Sequence, residues 1–404
     1  MKNYLKTIFN IIIFILFIFI FQNNIFSQNP YYKKYINQKK SLNVYNWGEY
    51  INDGSNGDIS VNREFEKLTG IKINYSTFSS NEELYAKLRN KSSNYDIIIA
   101  SDYMISRMII ENMIQKIDIN KIPNFKNIDD NFKNPNYDKN NEHSVPYMWG
   151  TVGIIYNKSK IDKPIDSWSD LWDPNFKGKI LMFSNSRDCF GVALKKLNYS
   201  INTTDKNQII EASREISAQK ELVQAYVMDE IFNKMENEEA YIAPYYSGDA
   251  IRMMNENENL DFVHPKEGTN KFVDAICIPN GSQNTDPAYL YINFLLEPEI
   301  ALSNVKYIGY STPNKEAYKL LDNKTKNNKI AYPDEYILKN TESFLHLPKE
   351  INKLIDSEWT KIMSINSVDN KWLVPIFLII GLLLSISINI YRLIKKRKKY
   401  NIKF

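Results

Sequence analysis

The stretch from residue 42 to residue 100 alternates between two hydrophobic periods, and this alternation restricts the fold more than any other feature. LNVYNW and IKINYSTF have the composition of β-strands, and YDIIIA is a continuous apolar run typical of a buried parallel strand. NREFEKLTG and NEELYAKLRN, which lie between them, show helical spacing. This βαβαβ order predicts an α/β fold with a doubly wound sheet, in which ligands bind beyond the carboxyl ends of the strands.

The later chain repeats this theme. KGKILMFS, EEAYIAPYYSGDA and KFVDAICIP predict further strands, and SRDCFGVALKKL, AYLYINFLLEPEIAL and LPKEINKLIDSEWTKIM predict further helices. We expect Asn81 and Ser186 to cap the helices that follow them. With 404 residues, of which 43% are apolar, the chain is long enough to form two lobes, each with its own core.

Both ends of the chain carry long apolar runs. Lys2 and Lys6 precede such a run within residues 1–30, which predicts a signal peptide or an N-terminal membrane segment. Residues 372–391 are uncharged over about the length of a membrane-crossing helix, and a basic segment, residues 392–404, follows. We therefore expect an exported chain with a C-terminal transmembrane helix and a basic cytoplasmic tail.

The charge of the segment between these ends limits its partners. Residues 41–391 contain 38 basic and 47 acidic side chains, so this part of the chain is acidic. An acidic surface argues against nucleic acid or anionic lipid as a partner and suits a cationic one. Cys189 and Cys277 can pair in an oxidising compartment, although the sequence does not place them near each other.

Enzymatic motifs are scarce in this sequence. The three histidines, His143, His264 and His346, lie in separate stretches, and no metal-hydrolase, nucleophile-elbow or phosphate-loop pattern occurs. We therefore expect no catalytic residue, no metal ion and no cofactor.

An aromatic residue stands beside a carboxylate at several predicted strand ends. Each pair on its own fits a structural role, since Trp47 suits a core, Ser101 or Asp102 a helix cap and Asp188 the first turn of a helix. Together they suit an organic ammonium ligand, because ring faces attract the cation and cover its methylenes while carboxylates accept its N–H groups. The sequence therefore predicts a cleft for a ligand with more than one amine, lined by the segments Trp47-Gly48-Glu49-Tyr50, Ser101-Asp102-Tyr103, Tyr246 to Asp249 and Phe272 to Asp274.

Long strings occur in the order NVYNWGEYI, FSSNEELYAKLRNKSSNYDIIIASDYM, SVPYMWGTVGIIYN, SWSDLWDPNFKGKI, HPKEG and IGYSTPN. Over about residues 41–363 they resemble the spermidine/putrescine-binding proteins of polyamine ABC importers. The resemblance implies the two-lobed, type II periplasmic binding protein fold, with a doubly wound mixed sheet in each lobe. Its boundaries are 41–147 with 274–312 for lobe 1, and 148–273 with 313–366 for lobe 2.

The resemblance also implies a set of ligand-binding residues. Gly48 stands where the family usually has Ser or Thr, Tyr246 where it commonly has Trp, and Asn185 where some members have an acid. These differences leave the choice between spermidine and putrescine open. The implied ring walls are Trp47, Tyr50, Tyr103, Tyr246, Phe272 and Tyr310, the implied amine acceptors are Glu49, Asp188, Asp249 and Asp274, and Gly48 and Ser101 complete the set.

By this resemblance we expect a substrate-binding component that captures a linear polyamine by hinge closure at the periplasmic or extracellular face. Its partners would be ABC permease subunits and a separate ATPase. One alternative is a membrane-tethered polyamine sensor, although the segment after Arg392 is too short for a signalling domain. Another is a binder of a different solute, such as an amino acid, a sugar or ferric ion. An enzyme is the least expected, because no residue pair is placed for proton transfer.

Overall fold

The computed structural model describes residues 31–35, 38–55, 57–90 and 94–364, together with separate positions between 379 and 395. The chain divides into two compact units, residues 1–355 and residues 356–404. Every strand among the described residues lies in the first unit.

Strands and helices alternate through most of that unit. The strands are β1 Ser41–Trp47, β2 Lys72–Phe78, β3 Ile97–Ser101, β4 Val145–Asn157, β5 Ile180–Phe183, β6 Val223–Val227, β7 Ile242–Tyr246, β8 Leu260–Val263, β9 Thr269–Cys277 and β10 Thr341–Glu342. The α-helices are α1 Val61–Thr69, α2 Asn81–Arg89, α3 Asp102–Ile110, α4 Ser186–Lys196, α5 Lys206–Gln219, α6 Ile231–Glu236, α7 Ser247–Glu256, α8 Thr285–Leu295, α9 Pro298–Ile308, α10 Lys315–Leu320, α11 Asn323–Lys326, α12 Glu335–Lys339 and α13 Lys349–Ser364. Short 3₁₀ helices occupy Tyr32–Tyr35, Ile119–Lys121, Pro123–Asn127, Asp130–Phe132, Lys139–Asn141, Trp168–Trp172 and Pro174–Phe176.

The strands follow one hydrogen-bonded path in the order β2-β1-β3-β9-β4-β7-β5-β6, with β8 on β4 and β10 on β9. β1, β2 and β3 pair in parallel, and so do β5, β6 and β7. The pairs β3 with β9, β9 with β4 and β4 with β7 are antiparallel. The long strands β4 and β9 therefore join the two parallel groups, which would otherwise be two separate parallel sheets.

Local sequence explains where the helices begin and end. Gly70 ends α1 in the left-handed conformation at φ 73°, which glycine adopts without a Cβ clash. Ser80, and not Asn81, caps α2, because its extended backbone lets its hydroxyl accept a first-turn N–H. Asn185 caps α4 in the same way, so Ser186 is the first helical residue and not the cap.

The apolar segment AYLYINFLLEPEIAL, predicted as one helix, forms the two helices α8 and α9. Pro298 opens α9, because proline lacks the N–H that a helix interior needs but fits the first helical turn. Gly309 then ends α9 at φ 85°. The break and this terminus together direct the following residue, Tyr310, toward the carboxyl ends of the strands, where it is buried.

The two cysteines lie in the core as free thiols. Cys189 in α4 and Cys277 in β9 are both fully buried, and neither forms a disulfide. Burial raises the pKa of the Cys189 thiol above its ordinary value. Both side chains therefore pack as small apolar groups.

The prediction of a C-terminal transmembrane helix is wrong for this structure. None of the helices among the described residues combines the length and the apolar character needed to cross a membrane. Within 372–391 only separate positions are described. The rest of 372–391, most of the basic segment 392–404, and all of the predicted N-terminal segment 1–30 lie outside the described residues.

Candidate functional site

A cleft with an empty volume of about 850 Å³ opens at the carboxyl ends of the parallel strands. Trp47, Ser101 and Tyr246, the last residues of β1, β3 and β7, all line it. This position follows the rule for open α/β sheets, where loops after the strand ends form the ligand crevice. The structure brings all of the sequence-predicted site residues to this one cleft: Trp47, Gly48, Glu49, Tyr50, Ser101, Tyr103, Asp188, Tyr246, Asp249, Phe272, Asp274 and Tyr310.

Asp274 lies in a buried, hydrogen-bonded corner. It is only 4% exposed on β9, directly opposite Ser101 of β3. Tyr50 donates its hydroxyl to Asp274 Oδ2 at 2.6 Å, and Ser101 donates to Oδ1 at 2.7 Å. Phe272 precedes Asp274 by two residues, so its side chain points to the same face of the strand. One strand therefore supplies both a ring and a carboxylate to the cleft.

Two further carboxylates repeat the pairing with a tyrosine. Asp188 accepts hydrogen bonds from the Tyr246 hydroxyl and the Asn185 amide, both at 2.7 Å. Asp249, in the first turn of α7, accepts a hydrogen bond from the Tyr310 hydroxyl at 2.9 Å. A tyrosine hydroxyl fixes each carboxylate in orientation. Burial raises the pKa of both carboxyls, and the charges of Arg187 and Arg252 oppose this effect only in part at Asp188 and Asp249 respectively.

Aromatic rings connect these carboxylate corners. The centroid of the Tyr310 ring lies 5.3 Å from that of Tyr50 and 5.9 Å from that of Phe272, and Phe272 lies 5.5 Å from Tyr246. Gly248 makes room for this arrangement, since a Cβ there would stand 2.3 Å from the Tyr310 ring. The rings thus form one continuous apolar wall between Asp188, Asp249 and Asp274.

Two predicted ring residues combine packing with exposure to the cleft. Trp47 packs on Phe78 at a centroid distance of 4.5 Å, so the structural role and the ligand role coexist in one side chain. Tyr103 donates its hydroxyl to Glu82 at 2.9 Å and meets the edge of Phe344 at 5.9 Å. Both residues therefore line the cleft together with the ring wall.

Burial disfavours the ionised form of the carboxyl groups of the cleft. It raises the pKa of Asp274 to about 6, that of Asp249 to about 7 and that of Asp102 to about 8. Burial also raises the pKa of Asp188, against the hydrogen bonds from Tyr246 and Asn185. No lysine or arginine is among the described residues that line the cleft. Such desolvated acids gain most from a cationic ligand.

Glu49 differs from the other predicted amine acceptors. Its Oε2 accepts a hydrogen bond from Arg252 Nη1 at 2.8 Å, and its side chain is half exposed at the cleft mouth. Its backbone adopts a φ of 52°, which is unusual for a residue other than glycine. Arg252 therefore already balances the charge of this carboxylate.

Several lining residues were not predicted from the sequence. Among them are Asp229, Phe232 and Phe344, which stand on the α4 to α7 side or near β10. Asp229 follows β6, whose sequence VQAYV mixes exposed and buried positions and lacks the apolar run that marked the other strands. A search of every strand end, including weak strands, would have identified it. Within the described residues, no group of three or more His, Cys, Asp or Glu side chains is arranged to hold a metal ion.

Comparison with known proteins assigns the chain to a family. The profile of the family described as "Bacterial extracellular solute-binding protein" matches residues 92–341. The spermidine/putrescine-binding periplasmic protein of Escherichia coli is 40% identical over 304 residues, which cover 75% of this chain and 86% of that protein. The putrescine-binding periplasmic protein SpuD of Pseudomonas aeruginosa is 30% identical, covering 80% of this chain and 92% of that protein.

Solved structures agree with this assignment. A Listeria monocytogenes protein, provisionally described as a spermidine/putrescine ABC transporter, is 39% identical with a TM-score of 0.77, covering 81% of this chain and all of that one. The spermidine/putrescine ABC transporter substrate-binding protein PotD of Streptococcus pneumoniae is 36% identical with a TM-score of 0.69, covering 80% and 99%. These likenesses confirm the resemblance found in the sequence strings.

Membership of this family also distinguishes a binding protein from an enzyme. Its members are solute-binding proteins and not enzymes, which confirms the prediction of a non-catalytic chain. The chain belongs to the bacterial extracellular solute-binding proteins.

Proposed function

We propose that the cleft binds a linear polyamine such as spermidine or putrescine, and that the chain is the substrate-binding component of a polyamine ABC importer. One observation carries this proposal. Three carboxylates, the buried Asp274 and the half-buried Asp188 and Asp249, are each oriented by a tyrosine hydroxyl, joined by aromatic rings, and faced by no lining lysine or arginine among the described residues.

The chemistry of a polyamine matches this wall in both of its parts. Each ammonium group supplies the positive charge that the desolvated carboxylates lack and donates N–H groups to their free lone pairs. The methylene segments between the ammonium groups lie against the rings of Tyr246, Phe272 and Tyr310, whose faces also attract the cations. A sugar would satisfy the rings but not the carboxylates, and an amino acid would need a cation for its own carboxylate.

The cleft lies between residues of the β1 to β3 group and residues of the β5 to β7 group, which β4 and β9 connect. We expect the two sides to approach each other around the ligand by bending near these connecting strands. The ligand would then shift the population toward the closed form by binding it more tightly than the open form. We propose that these two sides are the predicted lobes, 41–147 with 274–312 and 148–273 with 313–366.

The partners follow from the same proposal. The closed, loaded chain would dock on permease subunits in the membrane, and a separate ATPase would drive transport. The names of the relatives in Escherichia coli and Listeria monocytogenes support this assignment.

Calorimetric titration of the purified protein tests the ligand. We expect one-site binding of spermidine or putrescine that weakens as salt rises, because exposed charges are screened as the ligand approaches. Arginine and maltose serve as matched probes, the first with a cation and a carboxylate and the second with hydroxyl groups alone. Binding of either probe in preference to every polyamine would overturn the proposal.

A further inference from the structure

Strand β9 carries a lysine on the face opposite the cleft. Side chains alternate along a strand, and Phe272 and Asp274 line the cleft, so Lys271 points to the other face of the sheet. Its ammonium lies 5.4 Å from the centre of the Phe132 ring and 5.2 Å from that of the Trp149 ring. Burial lowers the pKa of Lys271, and no carboxylate among the described residues pairs with its ammonium. The two ring faces therefore hold this cation.

Phe132 moves with the β1 to β3 side of the molecule. It ends a short 3₁₀ helix, and the segment before it is attached to α8, where the Asn124 N–H donates to Asn293 Oδ1 at 2.8 Å. Helix α8 packs in turn on α1, since the ring centroids of Tyr291 and Phe65 are 5.0 Å apart. Because α1 connects β1 to β2, these contacts fix Phe132 to that side.

Lys271 and Trp149 lie on the connecting strands. Thr151, opposite Lys271 on β4, donates its N–H to Ser247 Oγ at 3.2 Å at the start of α7, which follows β7. Lys271 therefore lies at the end of β9 that is attached to the β5 to β7 side. Trp149 is fixed nearer the pivot, because its backbone exchanges two hydrogen bonds, of 2.9 and 3.2 Å, with Ser311 after α9.

Ring contacts across the mouth occur in the same conformation. The Tyr103 ring of α3 lies 5.9 Å from that of Phe344, and Phe344 packs against α4, since a Cβ at Gly191 would stand 3.0 Å from its ring. The front of the cleft is thus bridged while Lys271 is held between two rings at the back. Bending about β4 and β9 that opens the mouth must also move Phe132 relative to Lys271, because the two belong to opposite sides of the bend.

We propose that Lys271, Phe132 and Trp149 form a clamp on the back of the hinge that favours the closed form, so that residues remote from the ligand set part of its affinity. This inference rests on the proposed function, in which the two sides close around a polyamine. The negative face of an aromatic ring attracts a cation, and more strongly where water is partly excluded. Loss of the clamp lowers the population of the closed form, and the apparent affinity falls by the same factor.

Titrations of the full-length protein with spermidine test the clamp. We expect Lys271→Met and Phe132→Leu each to weaken binding about fivefold. The double variant should lose no more than either single variant, because both substitutions break the same contact. Removal of a positive charge would by itself strengthen the binding of a cationic ligand, so weaker binding by Lys271→Met distinguishes the clamp from a charge effect. Lys271→Arg keeps a cation over the rings and should bind like the unmodified protein.

Kinetics and scattering distinguish a clamp from a general structural role. The loss in Lys271→Met should appear as faster dissociation of spermidine with little change in association. In small-angle X-ray scattering, the ligand-free variant should have a larger radius of gyration than the unmodified protein, whereas the two saturated proteins should agree. Lys266→Met removes an exposed lysine outside the cleft and should leave both affinity and scattering unchanged.

The outcomes separate this inference from the proposed function. If the unmodified protein binds no polyamine, the proposed function fails, and the scattering of the ligand-free variants still tests the clamp. If the unmodified protein binds spermidine and Lys271→Met binds it equally or more tightly, only the clamp fails. Additive losses in the double variant would overturn the clamp as well.

Discussion

The Asp274 corner and the Glu49 corner come from the same kind of sequence pattern, an aromatic residue close to an acid near a strand end, yet they differ physically. Asp274 is 4% exposed and receives two neutral donors, Tyr50 and Ser101. Glu49 has a side chain that is 50% exposed and receives a cation, Arg252. A carboxylate that lacks a counterion in the free protein is prepared for a cationic ligand, and one that has a counterion is not.

We propose that burial and pairing, and not residue type, distinguish an amine acceptor from other carboxylates of the cleft. Burial raises the pKa of Asp274 to about 6, because its two hydroxyl donors stabilise the charge less than water would. An exposed ion pair such as Glu49 with Arg252 contributes only about 0.2–1 kcal/mol. The two corners should therefore respond very differently to mutation.

Removal of the Asp274 carboxylate should have the largest effect. We expect Asp274→Ala to weaken polyamine binding by about 2–5 kcal/mol, roughly thirtyfold or more, because it leaves an ammonium buried without its partner. Asp274→Asn provides the matched variant, since it removes the charge, keeps the shape and retains one oxygen that can accept one of the two hydroxyl hydrogen bonds. Calorimetry, with circular dichroism to establish folding, measures both variants. Near-normal affinity in a folded Asp274→Ala protein would disprove the site.

The sequence could predict the Asp274 corner, because that corner lies at strand ends that a local pattern marks. It could not predict that Asp274 and Glu49 differ in burial and pairing. The apolar run of β3 and the register of Ser101 opposite Asp274 follow from local pattern and sheet geometry. The pair Glu49 with Arg252 joins positions 203 residues apart, and no local pattern encodes that contact. Asp229 was not predicted as a site residue, because the strand before it, β6, lacks the apolar run by which the other strands were recognised.

The same limit applies to the helical predictions. A local signal, Pro298, explains why one predicted helix is two, and it was available in the sequence. The uncharged run at 372–391 predicted a transmembrane helix by composition alone, and the described structure contains no helix of that kind. The composition of a segment shows which structures it could form, whereas the structure that it does form also depends on its contacts with the rest of the molecule.

Acid should weaken ligand binding at the buried corner by the next largest factor. The pKa values of about 6 for Asp274 and about 7 for Asp249 mean that both carboxyls must lose protons before they can pair with ammonium groups. We expect the affinity for spermidine to fall at least tenfold between about pH 7.5 and about pH 5.5, with proton release on binding near neutral pH. Calorimetry in buffers of different ionisation heat measures this release. A pH-independent affinity would contradict the assignment of these carboxyls to the ligand.

The free protein should show the opposite trend in stability. These carboxyls have higher pKa values in the folded protein than the ordinary 3.8, so between 3.8 and about 7 the folded state holds more protons than the unfolded state. Their contribution to the free energy of unfolding therefore decreases as pH rises through that window. Thermal melts of the Asp249→Asn, Asp274→Asn double variant should show a smaller decrease than those of the unmodified protein.

Two Tyr→Phe substitutions, each of which removes one hydroxyl group, compare the Asp274 corner with the Glu49 corner. Tyr50→Phe removes the 2.6 Å hydrogen bond to Asp274, and we expect a loss of about 1 kcal/mol, or about fivefold in affinity. Tyr307→Phe removes a 3.4 Å contact with Glu49 at the mouth, and we expect no measurable change. Titration of both variants with spermidine provides the test. A larger loss for Tyr307→Phe than for Tyr50→Phe would reverse the proposed difference between the corners.

Among the carboxylate substitutions, Glu49→Gln should have the smallest effect. It removes a charge that Arg252 already balances, and the side chain is half exposed, so we expect a change in spermidine affinity of no more than about twofold. Arg252→Gln is the informative partner, because it frees the Glu49 carboxylate for an ammonium and should leave affinity unchanged or increase it. If Glu49→Gln instead costs as much as Asp274→Asn, Glu49 must exchange Arg252 for the ligand when the cleft is filled. The Asp274 and Glu49 corners would then differ only in the free protein. The ion pair with Arg252 would mark a carboxylate that becomes available to the ligand only on binding.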